Sequence, residues 1–101
     1  MHLIQMLLPL KDNEGRRFPR NDFDRVRQEL IDRLGGATAF LQAPAEGAWK
    51  DEGEVAQDDV VLIEVMTEKL DHDWWGQYRE ELKRRFKQEE LIIRALLVDL
   101  L

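Results

Sequence analysis

Three segments of this chain would be apolar on both faces if they formed β-strands. No other feature of the sequence restricts the possible folds as much. The three segments are residues 3–8, 60–66 and 91–98. Because side chains alternate along a strand, each segment divides into two sets. One set is wholly apolar and predicts the core face: Ile4, Met6, Leu8, Val61, Ile63, Val65, Leu91, Ile93, Ala95 and Leu97. The other set is also mostly apolar, so neither face suits permanent contact with water.

Two helical patterns lie between these segments. The first has Asn21 or Asp22 as its N-cap, apolar positions at 23, 26, 30 and 34, and a glycine pair at 35–36 as its end. The second is expected to begin at Asp71 or Asp73 and to run to about residue 88, with apolar positions at 75, 78, 82 and 86. A weaker strand is predicted over residues 37–43, followed by a hairpin closed by residues 51–53. The last strand is expected over residues 91–100.

This element order predicts an α+β domain of the ferredoxin-like βαββαβ sandwich type. The expected sheet has four antiparallel strands in the order 4-1-3-2, with two helices on one face. The hairpin is then an insert between strands 2 and 3. No linker, repeat or low-complexity tract divides the chain, so residues 1–101 are predicted to form a single domain.

The second set of strand side chains predicts an interface. Such a patch covers several hundred Å², more than a soluble monomer usually exposes. A second copy packed sheet against sheet about a two-fold axis would bury on the order of 800 Å² per partner. The expected partner is therefore a homodimer mate, bound through Leu3, Leu7, Leu62, Met66, Ile92, Leu96 and Val98.

Three polar residues interrupt this apolar set, one on each of three neighbouring strands. They are Arg94, Gln5 and Glu64, in that expected spatial order. If the register aligns them, they form one hydrogen-bonded row with opposite charges at its ends. One interpretation is a structural ladder that fixes the register of a dimer. The other is a polar binding pocket in an enclosed cavity.

Composition excludes several classes of function. With 21 acidic and 15 basic residues the net charge is −6, and the basic run at 83–87 follows Glu80 and Glu81, which can pair with Arg84 and Arg85 along a helix. Nucleic-acid binding is therefore disfavoured. The absence of cysteine fits a reducing, cytoplasmic compartment. No apolar run reaches the roughly 20 residues of a membrane span, and we expect no signal peptide.

Few residues suggest chemistry. His72 lies between two aspartates, but no second histidine stands four residues away, so a helix cap is favoured over a metal site. No nucleotide-binding or nucleophile motif is present, and we expect neither metal nor cofactor. Trp49 and Trp74 are candidate binding residues, because a cleft between them and the loop at 16–17 would suit a small anionic or aromatic ligand.

The order of elements resembles that of the ferredoxin-like dimeric α+β barrel superfamily. The chain is also similar to a small bacterial family of unknown function, with a Gly-Gly-x-Thr turn before a Gly-x-Trp hairpin, in the residues Phe23, Leu34-Gly35-Gly36-Ala37-Thr38, Gly47-Ala48-Trp49, Gly53 and Asp59-Val60. The superfamily resemblance implies two facing sheets, with ligands between sheet and helices. Members of this superfamily include cofactor-free oxygenases and haem-handling enzymes.

Two hypotheses follow. The first is a binding or interaction domain that homodimerises through the sheet. The second is a small cofactor-independent enzyme with its polar cluster in an enclosed cavity, which would require a cavity of roughly 300 Å³ or more lined by the polar row.

Overall fold

A computed structural model of the chain describes residues 1–34, 39–42 and 60–101. The strands are β1 (His2–Pro9), β2 (Ala39–Gln42), β3 (Val60–Thr67) and β4 (Ile92–Leu97). The helices are α1 (Arg20–Arg33) and α2 (His72–Arg85). The predicted hairpin insert and Trp49 lie outside the described residues.

β1 is the centre of the sheet and pairs antiparallel with a strand on each side. Its Gln5 is opposite Glu64 of β3 and opposite Arg94 of β4. β2 pairs antiparallel with the outer side of β3, so the sheet has the order β2-β3-β1-β4. This register places residues 3, 5 and 7 of β1 on the same face as residues 62, 64 and 66 of β3.

The predicted ferredoxin-like sandwich with a four-stranded sheet needs correction. Three antiparallel strands of six to eight residues, β3-β1-β4, form its body, and β2 adds only four residues at the edge beside β3. The sequence from 37 to 43 supplies only two large apolar residues, Phe40 and Leu41, which is little to hold a full strand. The described fold is a small α+β domain, and the ferredoxin-like assignment is not retained.

Both helices pack on the same side of the sheet. α1 buries the residues at 23, 26 and 30, and α2 buries those at 75, 78 and 82, as their spacing predicts. They meet the strand residues of the predicted core face in one cluster, which contains Ile4, Met6, Leu8, Leu10, Val61, Ile63, Val65, Phe86 and Leu91. Phe86 closes one end of the core, where its ring centroid lies 5.0 Å from that of Phe18.

The helix side of β4 departs from the prediction. Leu91 is buried and Ile93 is half-buried, but Ala95 is exposed and Leu97 is 80% exposed. β4 is an edge strand that ends at Leu97 instead of residue 100. The second half of this strand therefore extends beyond the layer of helices, and alternation alone did not indicate where that layer stops.

The predicted N-cap is correct for α2 and wrong for α1. Asp71 caps α2, with its side chain accepting a hydrogen bond from the backbone N–H of Trp74 at 3.1 Å. α1 begins at Arg20 with Pro19 at its N-cap, two to three residues before the predicted caps Asn21 and Asp22. The fixed φ of proline, −58° here, is already close to the helical value and can start a helix without a capping side chain.

Candidate functional site

The predicted polar row is present across the centre of the sheet. The Gln5 side-chain amide donates to a Glu64 carboxylate oxygen at 2.7 Å, and its carbonyl oxygen accepts from Nε of Arg94, also at 2.7 Å. This arrangement determines the orientation of the amide, since a flipped amide would place its oxygen against the carboxylate and its NH₂ against the guanidinium. Gln5 thus links two opposite charges that do not touch each other.

An apolar row lies on each side of the polar row. β1 contributes the middle residue of each, Leu3 to one and Leu7 to the other, and the pairing register places neighbours from β3 and β4 beside them. The two rows are Leu96–Leu3–Met66 and Ile92–Leu7–Leu62. We call these rows and the polar row together the open face.

The open face is partly accessible to solvent. Ile92 is 57% and Leu96 is 42% exposed, while the leucines and the methionine on β1 and β3 are half-buried. From standard strand spacings, the Cα atoms of the open face span roughly 10 Å across the strands and about 13 Å along them. Val98, also predicted for this surface, is half-buried, and its N–H donates to the carbonyl oxygen of Met1 at 3.1 Å.

A second polar cluster, not predicted from the sequence, connects the two helices. Arg85 donates two hydrogen bonds to the carboxylate of Glu29, at 2.7 and 2.8 Å, and the Tyr78 hydroxyl donates to the same carboxylate at 2.9 Å. Nε of Arg85 also donates to Glu81 at 2.8 Å, which is the helical pair expected from spacing. We call Glu29, Tyr78 and Arg85 the helix cluster.

The ionisation of the helix cluster reflects these contacts. The hydrogen bonds from Arg85 lower the pKa of Glu29, and the bond from Tyr78 acts in the same direction. Burial and the hydrogen bond to Glu29 raise the pKa of Tyr78, so that its hydroxyl stays protonated and remains a donor. The cluster is a neutralised, structural contact between α1 and α2.

Trp74 lies on the helix side of the sheet, away from the polar row. Its ring stacks on Tyr78 with centroids 4.8 Å apart, and the guanidinium carbon of Arg33 lies 5.1 Å from its centroid. It borders a groove of about 730 Å³ at the end of the sheet where β1 begins, which Leu34, Thr67, Lys69 and Leu100 also line. Gln5, Glu64 and Arg94 do not line this groove, so it is not the cavity that the enzyme hypothesis requires.

The predicted cleft between Trp74 and the loop at 16–17 is not formed. Trp74 is near the start of β1, whereas Arg17 pairs with Lys11 just beyond the end of β1. An eight-residue strand is about 27 Å long, so the two lie at opposite ends of the sheet. The antiparallel order predicts this separation, because a residue that follows β3 must lie beside the beginning of β1.

Comparisons with known proteins do not assign the chain to a family. No family model, curated protein or solved structure matches it. Among the described residues, no group of three histidine or acidic side chains is placed to hold a metal ion. Neither α1 nor α2, the helices of the described segments, has the length and apolar character needed to cross a membrane.

Proposed function

We propose that this chain is a homodimerising interaction domain whose open face binds the open face of a second copy. The observation that carries this proposal is the sequence of rows, apolar, polar and apolar, in which Gln5 hydrogen-bonds to both charged residues of the polar row. Apolar side chains on such a surface favour association, and a buried polar row is tolerated when its hydrogen bonds are made.

The charges of the open face favour a second copy over an unrelated partner. Glu64 and Arg94 stand at the two ends of the polar row and are separated by the amide of Gln5. A surface of one sign would neutralise one of these charges and oppose the other. A second copy carries both charges and can neutralise both in one isologous contact.

The size of the open face sets the expected strength of the dimer. Its Cα atoms enclose roughly 130 Å², less than the several hundred Å² expected from the sequence and less than the ~800 Å² per partner of a standard complex, so the open face is only the centre of an interface. Residues around it must add to the contact, and we expect a dimer that dissociates on dilution. The mass of the protein therefore has to be measured over a range of concentrations.

The test introduces one charge on each side of the sheet. Leu7→Glu places a carboxylate in the middle of an apolar row of the open face. Leu97→Glu makes the same change at a residue that is 80% exposed on the helix side of β4. In sedimentation experiments we expect Leu7→Glu to halve the mass of the assembly and Leu97→Glu to leave it unchanged.

Circular dichroism checks that both variants are folded. If a folded Leu7→Glu variant keeps the mass of the wild-type protein at every concentration, the open face is not the interface. A wild-type protein that is monomeric throughout the series would also contradict the proposal.

A further inference from the structure

We infer that the two-fold axis of the proposed dimer runs parallel to β1, so that Arg94 of each copy completes the surroundings of Glu64 in the other. This inference rests on the proposed function, since it concerns the same open face. It adds which residues of the two copies contact each other, and it implies that Glu64 lacks its charged partner in a single copy. It follows from the order of charges in the polar row.

Two facing sheets can be related by a two-fold axis in one of two simple ways. An axis parallel to β1 exchanges the two sides of that strand and keeps positions along it. An axis along the polar row keeps the sides and exchanges positions along the strand. Twist rotates facing sheets by about 30° in either case and does not alter this distinction near the axis.

The charges distinguish the two arrangements. Arg94 lies on the β4 side of Gln5 and Glu64 on the β3 side. With the axis parallel to β1, each arginine faces the glutamate of the other copy. With the axis along the row, arginine faces arginine and glutamate faces glutamate, which is unfavourable in an interface.

Glu64 and Arg94, which do not contact each other within one copy, then pair with the opposite charges of the other copy. The Glu64 carboxylate accepts from Gln5 of its own chain and has no described contact with the guanidinium of its own Arg94. Facing sheets pack about 10 Å apart, a gap that an arginine and a glutamate can bridge together. Two ion pairs then form, one on each side of the axis.

The apolar rows fit the same arrangement. On β1 each residue faces the same residue of the other copy, so that Leu3 lies against Leu3 and Leu7 against Leu7. The most exposed apolar residues of the open face, Ile92 and Leu96, lie on β4 and are placed over β3 of the other copy by the two-fold axis. There they face Leu62 and Met66, so that the apolar rows cover each other.

Single cysteines test the axis directly, because the chain contains no cysteine of its own. Leu3→Cys and Leu7→Cys are each treated with a short bismaleimide crosslinker, separately and as a mixture. With the axis parallel to β1, each variant crosslinks to itself. Leu97→Cys is the control on the helix side of the sheet and is expected to remain uncrosslinked.

The outcomes separate this inference from the function on which it rests. Self-crosslinking of both variants supports the axis parallel to β1. Crosslinking only in the mixture of Leu3→Cys and Leu7→Cys would place the axis along the polar row and overturn the inference, while keeping the dimer. No crosslinking in any sample would overturn the dimer itself.

Charge reversal gives a second measurement that does not depend on cysteine. Glu64→Arg and Arg94→Glu each create like-charge contacts across an axis parallel to β1, so each alone should weaken dimerisation at least about tenfold. Mixing the two variants restores opposite charges at both contacts, and the mixture should dimerise like the wild-type protein. Glu89→Arg, at an exposed site, controls for the gain of positive charge in Glu64→Arg. If both single variants dimerise as the wild-type protein does, the inference is wrong.

Discussion

Two clusters of this domain each combine one glutamate, one arginine and one neutral side chain, and they connect them differently. In the helix cluster, Arg85 contacts Glu29 through two hydrogen bonds, and Tyr78 adds a third. In the polar row, Gln5 stands between Glu64 and Arg94 and hydrogen-bonds to each. The first cluster neutralises its charges directly, whereas the second keeps them apart.

The difference in how the charges are connected predicts different roles for the two clusters. A direct, two-point arginine–carboxylate pair has strong geometric preference and joins two elements of the same chain. A pair divided by an amide leaves each charge able to meet an opposite charge from outside. We therefore expect the helix cluster to support the stability of the monomer and the polar row to support association.

Exchanging each arginine for methionine gives the largest expected difference between the clusters. Methionine keeps an apolar stem, so the change mainly removes the guanidinium. Arg85→Met leaves a partly buried carboxylate without its main partner and should lower the free energy of unfolding by about 1–2 kcal/mol. Arg94→Met should change it by less than about 0.5 kcal/mol in the dissociated protein, because this contact is exposed.

Urea unfolding at low protein concentration measures both effects, and sedimentation measures association. We expect Arg85→Met to retain the assembly and Arg94→Met to weaken it. Equal losses of monomer stability in the two variants would show that the clusters have the same role and would contradict the comparison.

A smaller effect is expected from the neutral member of the helix cluster. Tyr78→Phe keeps the ring that stacks on Trp74 and removes the hydroxyl that donates to Glu29. The loss of one hydrogen bond to a charged group should lower the free energy of unfolding by about 1 kcal/mol, with no change in association. An unchanged unfolding midpoint in urea would mean that the hydroxyl adds nothing to the cluster.

The two clusters also differ in how far the sequence could predict them. Alternation along three strands and the antiparallel order place residues 5, 64 and 94 on one face of neighbouring strands. A shift of two residues would keep every side chain on its face, so the structure and not the apolar pattern shows that the three residues lie side by side. The buried stripe of α2 and its cap at Asp71 were contained in local spacing.

The helix cluster could not be derived in this way. Glu29 and Arg85 are 56 residues apart, and their contact depends on how α1 and α2 lie against each other. Periodicity predicts which face of a helix is buried, but it does not predict where along that face the other helix lies. For the same reason alternation does not predict the exposure of Ala95 and Leu97, which depends on where the helix layer ends.

The smallest expected effect is a dependence of stability on pH that belongs to the helix cluster. The bonds from Arg85 hold the pKa of Glu29 below its ordinary value of 4.5. A carboxylate with a lowered pKa in the folded state stabilises the fold above its unfolded pKa, and this contribution is lost as the pH falls through the folded value. The effect is modest because the Glu29 side chain is 33% exposed.

Glu29→Gln isolates this contribution from that of other acids, including Asp12, whose pKa is lowered by the backbone hydrogen bond from Arg16. The substitution should reduce the free energy of unfolding near pH 7, and the difference from the wild-type protein should shrink below about pH 4.5. In the Arg85→Met background the main cause of the lowered pKa is gone, so the same substitution should have a similar, small effect at both pH values. If the difference between wild type and Glu29→Gln does not change with pH, the direct pair does not stabilise the monomer, and the contrast with the polar row loses its physical basis.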